Sequence, residues 1–247
     1  LKSKDRFSIK EEEEMEMKKA LLLLFMISLV VLAMAMTEEL PEMVFVSGGN
    51  IIYVGGTHIT EDSTICVVNL QIPFIEGLTR PGFESYINSL IKSEVEQYSK
   101  EIQKMAADAY EASKEDEWPF RTFDVYVVYT AYLSNGILSI DMIFSEFTGG
   151  AHPNAARRTY NIDISGNHLV SLKSLFPSED FENKLNELLF SKIKEREDLW
   201  PAEFKGVQPD QGFYLNAGRL YIYFQPYEIG PWASGMPEFS FLLTDLM

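Results

Sequence analysis

The sequence predicts an α+β fold, with antiparallel sheets each packed by one main helix and two subdomains. Three observations lead there. A long run from Pro81 carries apolar residues at three- and four-residue spacing. The β-rich runs come in pairs joined by short turn segments. Helical patterns never alternate singly with strands, which excludes a doubly wound parallel sheet. A chain of 247 residues, 46% hydrophobic and 13% aromatic, has the apolar mass for one large or two small domains and is neither disordered nor collagen-like.

The elements follow in order. Met43-Val44-Phe45-Val46 and Ile51-Ile52-Tyr53-Val54 flank Ser47-Gly48-Gly49-Asn50, a hairpin turn by composition. A third strand is expected from about Thr60 to Ile72. Pro81 then opens a helix whose apolar stripe is Phe83, Tyr86, Ile87, Leu90, Ile91, Val95, Tyr98, Ile102, Met105 and Ala106. That pattern fades in Glu115-Asp116-Glu117, ahead of Pro119. Thr122–Leu133 and Ile137–Phe147 are joined by Ser134-Asn135-Gly136, and Asn-Gly accepts the positive φ values of a tight hairpin. Tyr160–Ile164 and Leu169–Leu172 form a further hairpin. Ser178 is expected to cap a second helix, with Glu179 and Asp180 in its first turn and Phe181, Leu185, Leu188, Leu189 and Ile193 buried. Gly212–Leu215 pairs with Leu220–Gln225 across Asn216-Ala217-Gly218, and Glu238–Leu243 closes the fold. A boundary near residues 148–156 divides an N-terminal unit, 42–147, from a C-terminal unit, 148–247.

What precedes residue 42 reads differently. Ala20 to Met36 is an apolar run of 17 residues interrupted only by Ser28. As a helix it would span about 26 Å against roughly 30 Å of hydrocarbon. Lys18 and Lys19 stand before it, Ala33-Met34-Ala35 ends it with a small-x-small cleavage pattern, and Glu38 and Glu39 follow. Residues 17–35 are therefore expected to be a secretory signal peptide, with an uncleaved signal anchor as the alternative. No cysteine stands directly after the run, which excludes a lipoprotein anchor. Met17-Lys18-Lys19 resembles a bacterial translation start, so residues 1–16 are expected to be an upstream extension of the reading frame. The protein is then exported, to the periplasm, the cell surface or the medium; membrane attachment follows only if the segment stays uncleaved.

Charge and composition remove several function classes. Lys+Arg 21 against Asp+Glu 37 gives −16, and a nucleic-acid binder needs clustered cations. Residues 1–35 hold equal numbers of acids and bases, so the whole negative charge lies in 36–247. The single cysteine, Cys66, permits no internal disulfide and no multi-cysteine metal site. Its strand-like setting, Thr64-Ile65-Cys66-Val67-Val68, reads as a small buried hydrophobe. Three histidines are too few for a histidine-rich centre. No metal and no cofactor is expected.

Phosphate-binding, dinucleotide-binding, zinc-protease and nucleophile-elbow motifs are all absent from the chain. Two segments stand out. In Phe147-Thr148-Gly149-Gly150-Ala151-His152-Pro153-Asn154, the glycines allow positive φ or close backbone approach and Pro153 stiffens the exit. His152 has either a general-base or ligand role or a structural one, tying the loop to backbone carbonyls. The second segment, Tyr223 to Gly235, packs Pro226, Tyr227, Glu228, Gly230, Pro231 and Trp232 into a rigid loop with aromatic walls. Such loops suit carbohydrate stacking or protein hot spots, or simply close a sheet edge. Tyr227, Glu228, Trp232, His152 and Asn154 are the candidate partner-binding residues, and Gly149, Gly150, Pro153, Pro226, Gly230 and Pro231 the loop-forming ones. His152 and Glu228 make the one catalytic couple the chain offers.

The Phe-Thr-Gly-Gly-Ala-His-Pro-Asn stretch, followed about 75 residues later by Tyr-Phe-Gln-Pro-Tyr-Glu-Ile-Gly-Pro-Trp-Ala-Ser-Gly, resembles the extracytoplasmic domain of unknown function that ends RsiV-type anti-sigma factors and precedes the catalytic domain of PdaC-type deacetylases. The resemblance covers roughly 120–245, and 42–120 is similar to the smaller companion domain. It implies an envelope-facing α+β module and, in the anti-sigma factor, a receptor for lysozyme. Only about sixteen residues stand ahead of the signal segment and no Thr-Phe-Asp-Asp-Gly-Pro metal motif occurs, so neither anti-sigma activity nor deacetylation is expected to carry over. The implied function is thus a non-enzymatic binding or sensor module for a protein or peptidoglycan-related glycan at the cell envelope, with a cationic protein as one partner class. The alternatives are an envelope hydrolase or transferase using His152 and Glu228, and a membrane-anchored signalling protein.

Overall fold

A computed structural model describes residues 36–114, 119–176 and 179–246. The segments 1–16 and 17–35, the fading helix end at 115–117 and the Ser178 cap lie outside the described residues. Seven strands form one sheet in sequence order: β1 (Met36–Ser47), β2 (Asn50–Asp62), β3 (Cys66–Glu76), β4 (Phe123–Ser134), β5 (Ile137–Phe147), β6 (Asn154–Asp163) and β7 (His168–Leu169). Every neighbouring pair is antiparallel except β3 and β4, which are parallel. The cause is helix α1 (Pro81–Ser113), which carries the chain back across the sheet before β4 begins. The sheet is therefore mixed, within the expected α+β class.

Helix α1 buries Ile87, Ile91, Val95, Ser99, Ile102 and Ala106. They pack with Val68, Leu70, Val125, Val127, Ile140 and Met142 in the larger core. Tyr86 and Met105, which the spacing puts in the stripe, sit on its margin and stay about half exposed. The Asn135-Gly136 turn has both residues at positive φ, as its sequence requires.

Several strand boundaries differ from the sequence reading: β1 begins at Met36 rather than Met43, and the strand expected at Leu169–Leu172 is only His168–Leu169, with Leu172 opening a short helix. Thr60 to Asp62 belong to β2, and the chain turns at Ser63, whose hydroxyl accepts from the Cys66 N–H and donates to the Cys66 carbonyl. The turn Glu61 to Thr64 contains neither glycine nor proline, so composition does not mark it. Strand β6 begins at Asn154 rather than Tyr160 and pairs with β5 from Glu146↔Asn154 to Ile137↔Asp163. Its first half, Ala155-Ala156-Arg157-Arg158, lacks β-branched and aromatic residues, and tertiary pairing overrides that weak propensity. The large sheet thus continues through both sides of residues 148–153.

The remaining strands, β8 (Phe213–Asn216), β9 (Arg219–Tyr223) and β10 (Glu238–Leu242), form a three-stranded antiparallel sheet in the order β10-β9-β8. Short helices α2 (Leu172–Leu175) and α4 (Leu243–Leu246) flank the main helix α3 (Glu179–Lys194). Helix α3 buries Phe181, Leu185, Leu189 and Ile193 against Leu215, Ile222 and Phe241 in a second apolar core. Polar rungs join this unit to the large sheet. Buried Ser139 accepts from Leu215 N–H and donates to Asn161, whose amide donates to the Phe213 carbonyl.

Candidate functional site

The Gly149-Gly150 loop, between β5 and β6, is held from outside. The Arg121 guanidinium, 4.5 Å above the Phe147 ring, donates to the carbonyls of Gly149 (2.9 Å) and Gly150 (2.6 Å). Gly149 takes φ of 82°, the left-handed region that glycine enters freely. The loop presents half-buried His152, while Pro153 and Asn154 remain exposed. His152 Nδ1 lies 2.9 Å from the Pro153 carbonyl. A carbonyl only accepts, so Nδ1 is the donor in this contact.

The second loop meets it there. After β9, the Glu228 N–H donates to the Gln225 carbonyl and the Glu228 carboxylate accepts from the Gln225 N–H at 2.7 Å, closing a tight turn. Pro226 supplies the fixed φ of the first corner, and Tyr227 stands at the second with φ of 69°. Glycine or asparagine normally fills that corner, and a bulky L-residue there costs about 1–3 kcal/mol. Tyr227 is nevertheless 57% exposed. Its hydroxyl reaches His152 Nε2 at 3.4 Å. The Trp232 ring stacks on the His152 imidazole, with centroids 4.3 Å apart and planes 26° from parallel.

Gly230 explains how Trp232 is placed. A Cβ at Gly230 would lie 2.8 Å from Leu199 Cδ2 and 3.2 Å from the Asp198 carbonyl, so glycine lets the loop press against 198–199 without displacing the Leu199 side chain. Trp200 N–H donates to the Ile229 carbonyl, and Ser234 donates to the Asp198 carbonyl. Pro231 then leads into the single 3-10 turn Trp232–Ser234. The outcome is a braced surface patch of Tyr227, His152 and Trp232.

His152 and Glu228 are not joined. Among the described residues no hydrogen bond or ion pair links them: His152 engages Pro153, Tyr227 and Trp232, and Glu228 is folded back on Gln225. Partial burial pushes the Glu228 carboxyl above the usual glutamate range, against the lowering effect of the Gln225 N–H, with Asp210 adding to the rise. Among the described residues, His152 is bonded to no serine hydroxyl or cysteine thiol. Cys66 is buried on β3, and burial raises its thiol, with Asp124 and Glu61 adding to the effect. Among the described residues no group of three or more His, Cys, Asp or Glu is arranged to hold a metal ion. The arrangement offers flat aromatic surface with polar tips, which is binding chemistry.

Sequence reasoning missed the support behind the patch. Arg157 on β6 is clamped by Asp141 through two hydrogen bonds (2.8 and 2.6 Å) and by Glu238 through one (2.6 Å). It lies over the rings of Tyr223 and Tyr214. Burial alone would lower the guanidinium's pKa, but hydrogen bonds and charge from Asp141 and Glu238 prevail and hold it above its ordinary value. Gln225 completes the link: its side-chain amide accepts from the Arg157 N–H (2.9 Å) and donates to the Arg157 carbonyl (2.7 Å). No local pattern signals this, because the partners lie 16 to 81 residues apart.

A model of the family described as "Deacetylase PdaC" matches residues 59–155, and one described as "Protein of unknown function (DUF3298)" matches residues 173–242. The patch is composite between them: His152 comes from the first match, Tyr227 and Trp232 from the second, while Asn154, also in the first, has no hydrogen bond to these three among the described residues and is engaged through its carbonyl by Ser145. Among solved structures, a DUF3298 family member from Bacteroides fragilis is similar with a TM-score of 0.57 at 15% identity, over 87% of this chain and 93% of that one. A DUF3298 family protein from Pseudomonas aeruginosa PAO1 is similar with a TM-score of 0.50 at 17% identity, over 86% and 92%. At these identities the likeness concerns the fold. No curated protein matches the chain.

Proposed function

Taking the chain as a PdaC domain followed by a DUF3298 domain, we propose that it is an exported, non-enzymatic binding or sensor module of the cell envelope, for a protein or glycan partner. A cationic, lysozyme-like protein is the favoured partner class. The observation that carries this reading is Tyr227: an exposed aromatic held in a costly left-handed corner and bonded to a stacked His152–Trp232 pair. Strain kept at a surface residue that adds little to the core supports a functional role for it. Tyrosine and tryptophan are also the residues that most often anchor interfaces. The charge of −16 supports a cationic partner, which it would attract by steering.

The test is a titration of the purified protein against a panel of basic wall-active proteins, a lysozyme among them, and against soluble peptidoglycan fragments. Saturable binding at low ionic strength is expected, and Trp232→Ala should speed dissociation with little change in the association rate. Absence of binding to every member of both panels, or kinetics indifferent to Trp232→Ala, would remove the proposal.

A further inference from the structure

Beside the patch lies a groove of about 790 Å³ that none of the sequence-predicted site residues lines. Its base is the outer edge of β6. One wall is the α1 face bearing Glu94, Tyr98 and Glu101, and the other is the segment Pro209 to Phe213. The volume falls in the range of sites that hold small ligands or short peptides.

The edge itself is unfinished. Arg157 turns its N–H and C=O away from β5, onto the Gln225 amide. Strand geometry repeats every two residues, so Thr159 and Asn161 turn theirs the same way. At Asn161 the carbonyl accepts from the Val170 N–H. Between these two closures, among the described residues, nothing pairs with the Thr159 N–H or carbonyl or with the Asn161 N–H. The Thr159 side chain is engaged elsewhere, donating to the Phe213 carbonyl at 2.7 Å. Strand edges are normally covered, charged or bulged; this one keeps a gap at Thr159, between the Gln225 closure at Arg157 and the Val170 closure at buried Asn161.

The charges around it select an occupant. Arg157 is committed to Asp141 and Glu238, and Arg158 pairs with Glu94. Glu101 and Asp210 line the groove without a cationic partner among the described residues. We infer that this groove receives an extended basic peptide segment from a protein partner, which pairs its backbone with Thr159 and directs Lys or Arg side chains toward Glu101 and Asp210. The Gln225 amide on Arg157 is the internal precedent: one amide group already completes the same edge one step along. This is recognition by strand addition, in which backbone bonds supply affinity and flanking side chains supply selectivity. It deepens the reading of the molecule as a protein-binding module but uses different residues from the patch.

The probe is a labelled hexapeptide of alternating lysine and valine, titrated against the whole protein. Its controls are the glutamate–valine counterpart and a lysine–valine peptide N-methylated at alternate amides. Saturable binding of the lysine peptide is expected, together with slowed hydrogen exchange of the Thr159 amide. N-methylation should weaken binding about tenfold, the equivalent of two lost backbone hydrogen bonds. Glu101→Gln with Asp210→Asn should weaken it several-fold while leaving the fold intact, since both side chains are at the surface. Tyr227→Gly should leave it unchanged, so failure here and failure of the aromatic patch are separable. No binding, equal binding of the N-methylated or acidic peptide, or loss of binding in Tyr227→Gly would overturn the assignment.

Discussion

Glu228 closes the turn beneath the aromatic patch. Its carboxylate accepts from the Gln225 N–H and so fixes the turn that holds Tyr227 in place. Burial is the largest influence on its pKa and raises it, so the folded state binds the proton more readily than the unfolded chain does. The sign follows: stability falls as pH rises from the ordinary glutamate range through the raised value. Glu228→Gln keeps an acceptor for the Gln225 N–H but has no charge to desolvate. The variant should therefore gain on the wild type between pH 4 and pH 7 in thermal unfolding. A variant that loses ground over that interval would show that the charged carboxylate is net favourable in the turn.

At the scale of elements, an ion cluster bridges the two sheets beside the polar rungs and the stacked Tyr132–Tyr214 pair. Asp141, on β5, is 8% exposed and holds Arg157, on β6, which also binds Glu238 on β10. Asp141→Ala leaves a buried guanidinium half-compensated and should cost about 3–5 kcal/mol. Replacing Asp141 and Arg157 together with Leu and Met should restore most of that loss, measured by urea unfolding. Equal damage from the single and the double change would mean that the cluster acts through packing alone. The same elements mark what was legible in the sequence. Helix α1, the Asn135-Gly136 hairpin and the Ala217-Gly218 hairpin could be read because periodicity and turn chemistry are local signals. The start of β6 and the turn at Ser63 could not, since one is set by pairing with β5 and the other by a side-chain cap. For the site, the aromatics and glycines that form the patch were visible as unusual loop composition. Arg121, Arg157 and Gln225, which brace it, and the open edge at Thr159 were not, because they exist only once distant strands meet.

Considered whole, the molecule carries its −16 charge on a two-core body and presents a small aromatic patch where its two family matches meet. The charge and the patch should contribute different kinetic quantities. Long-range attraction raises the association rate and is screened by salt over about 8 Å at physiological ionic strength. Desolvated anchors such as Tyr227 and Trp232 set residence time. Raising ionic strength from 20 to 300 mM, in the conditions of a stopped-flow or surface-binding assay, should therefore slow association of a basic partner by about tenfold or more and leave dissociation nearly unchanged. The most direct test of the account uses Tyr227→Gly, because it separates fold from function at one residue. Glycine relieves the left-handed corner and removes the exposed ring. Unfolding temperature and partner dissociation rate should be measured on the same preparation. The account predicts a melting temperature equal to or above the wild type together with dissociation at least about tenfold faster, as for the loss of an interface anchor. A variant that unfolds several degrees lower while releasing its partner at the wild-type rate would contradict it, and would make Tyr227 a structural residue of the loop.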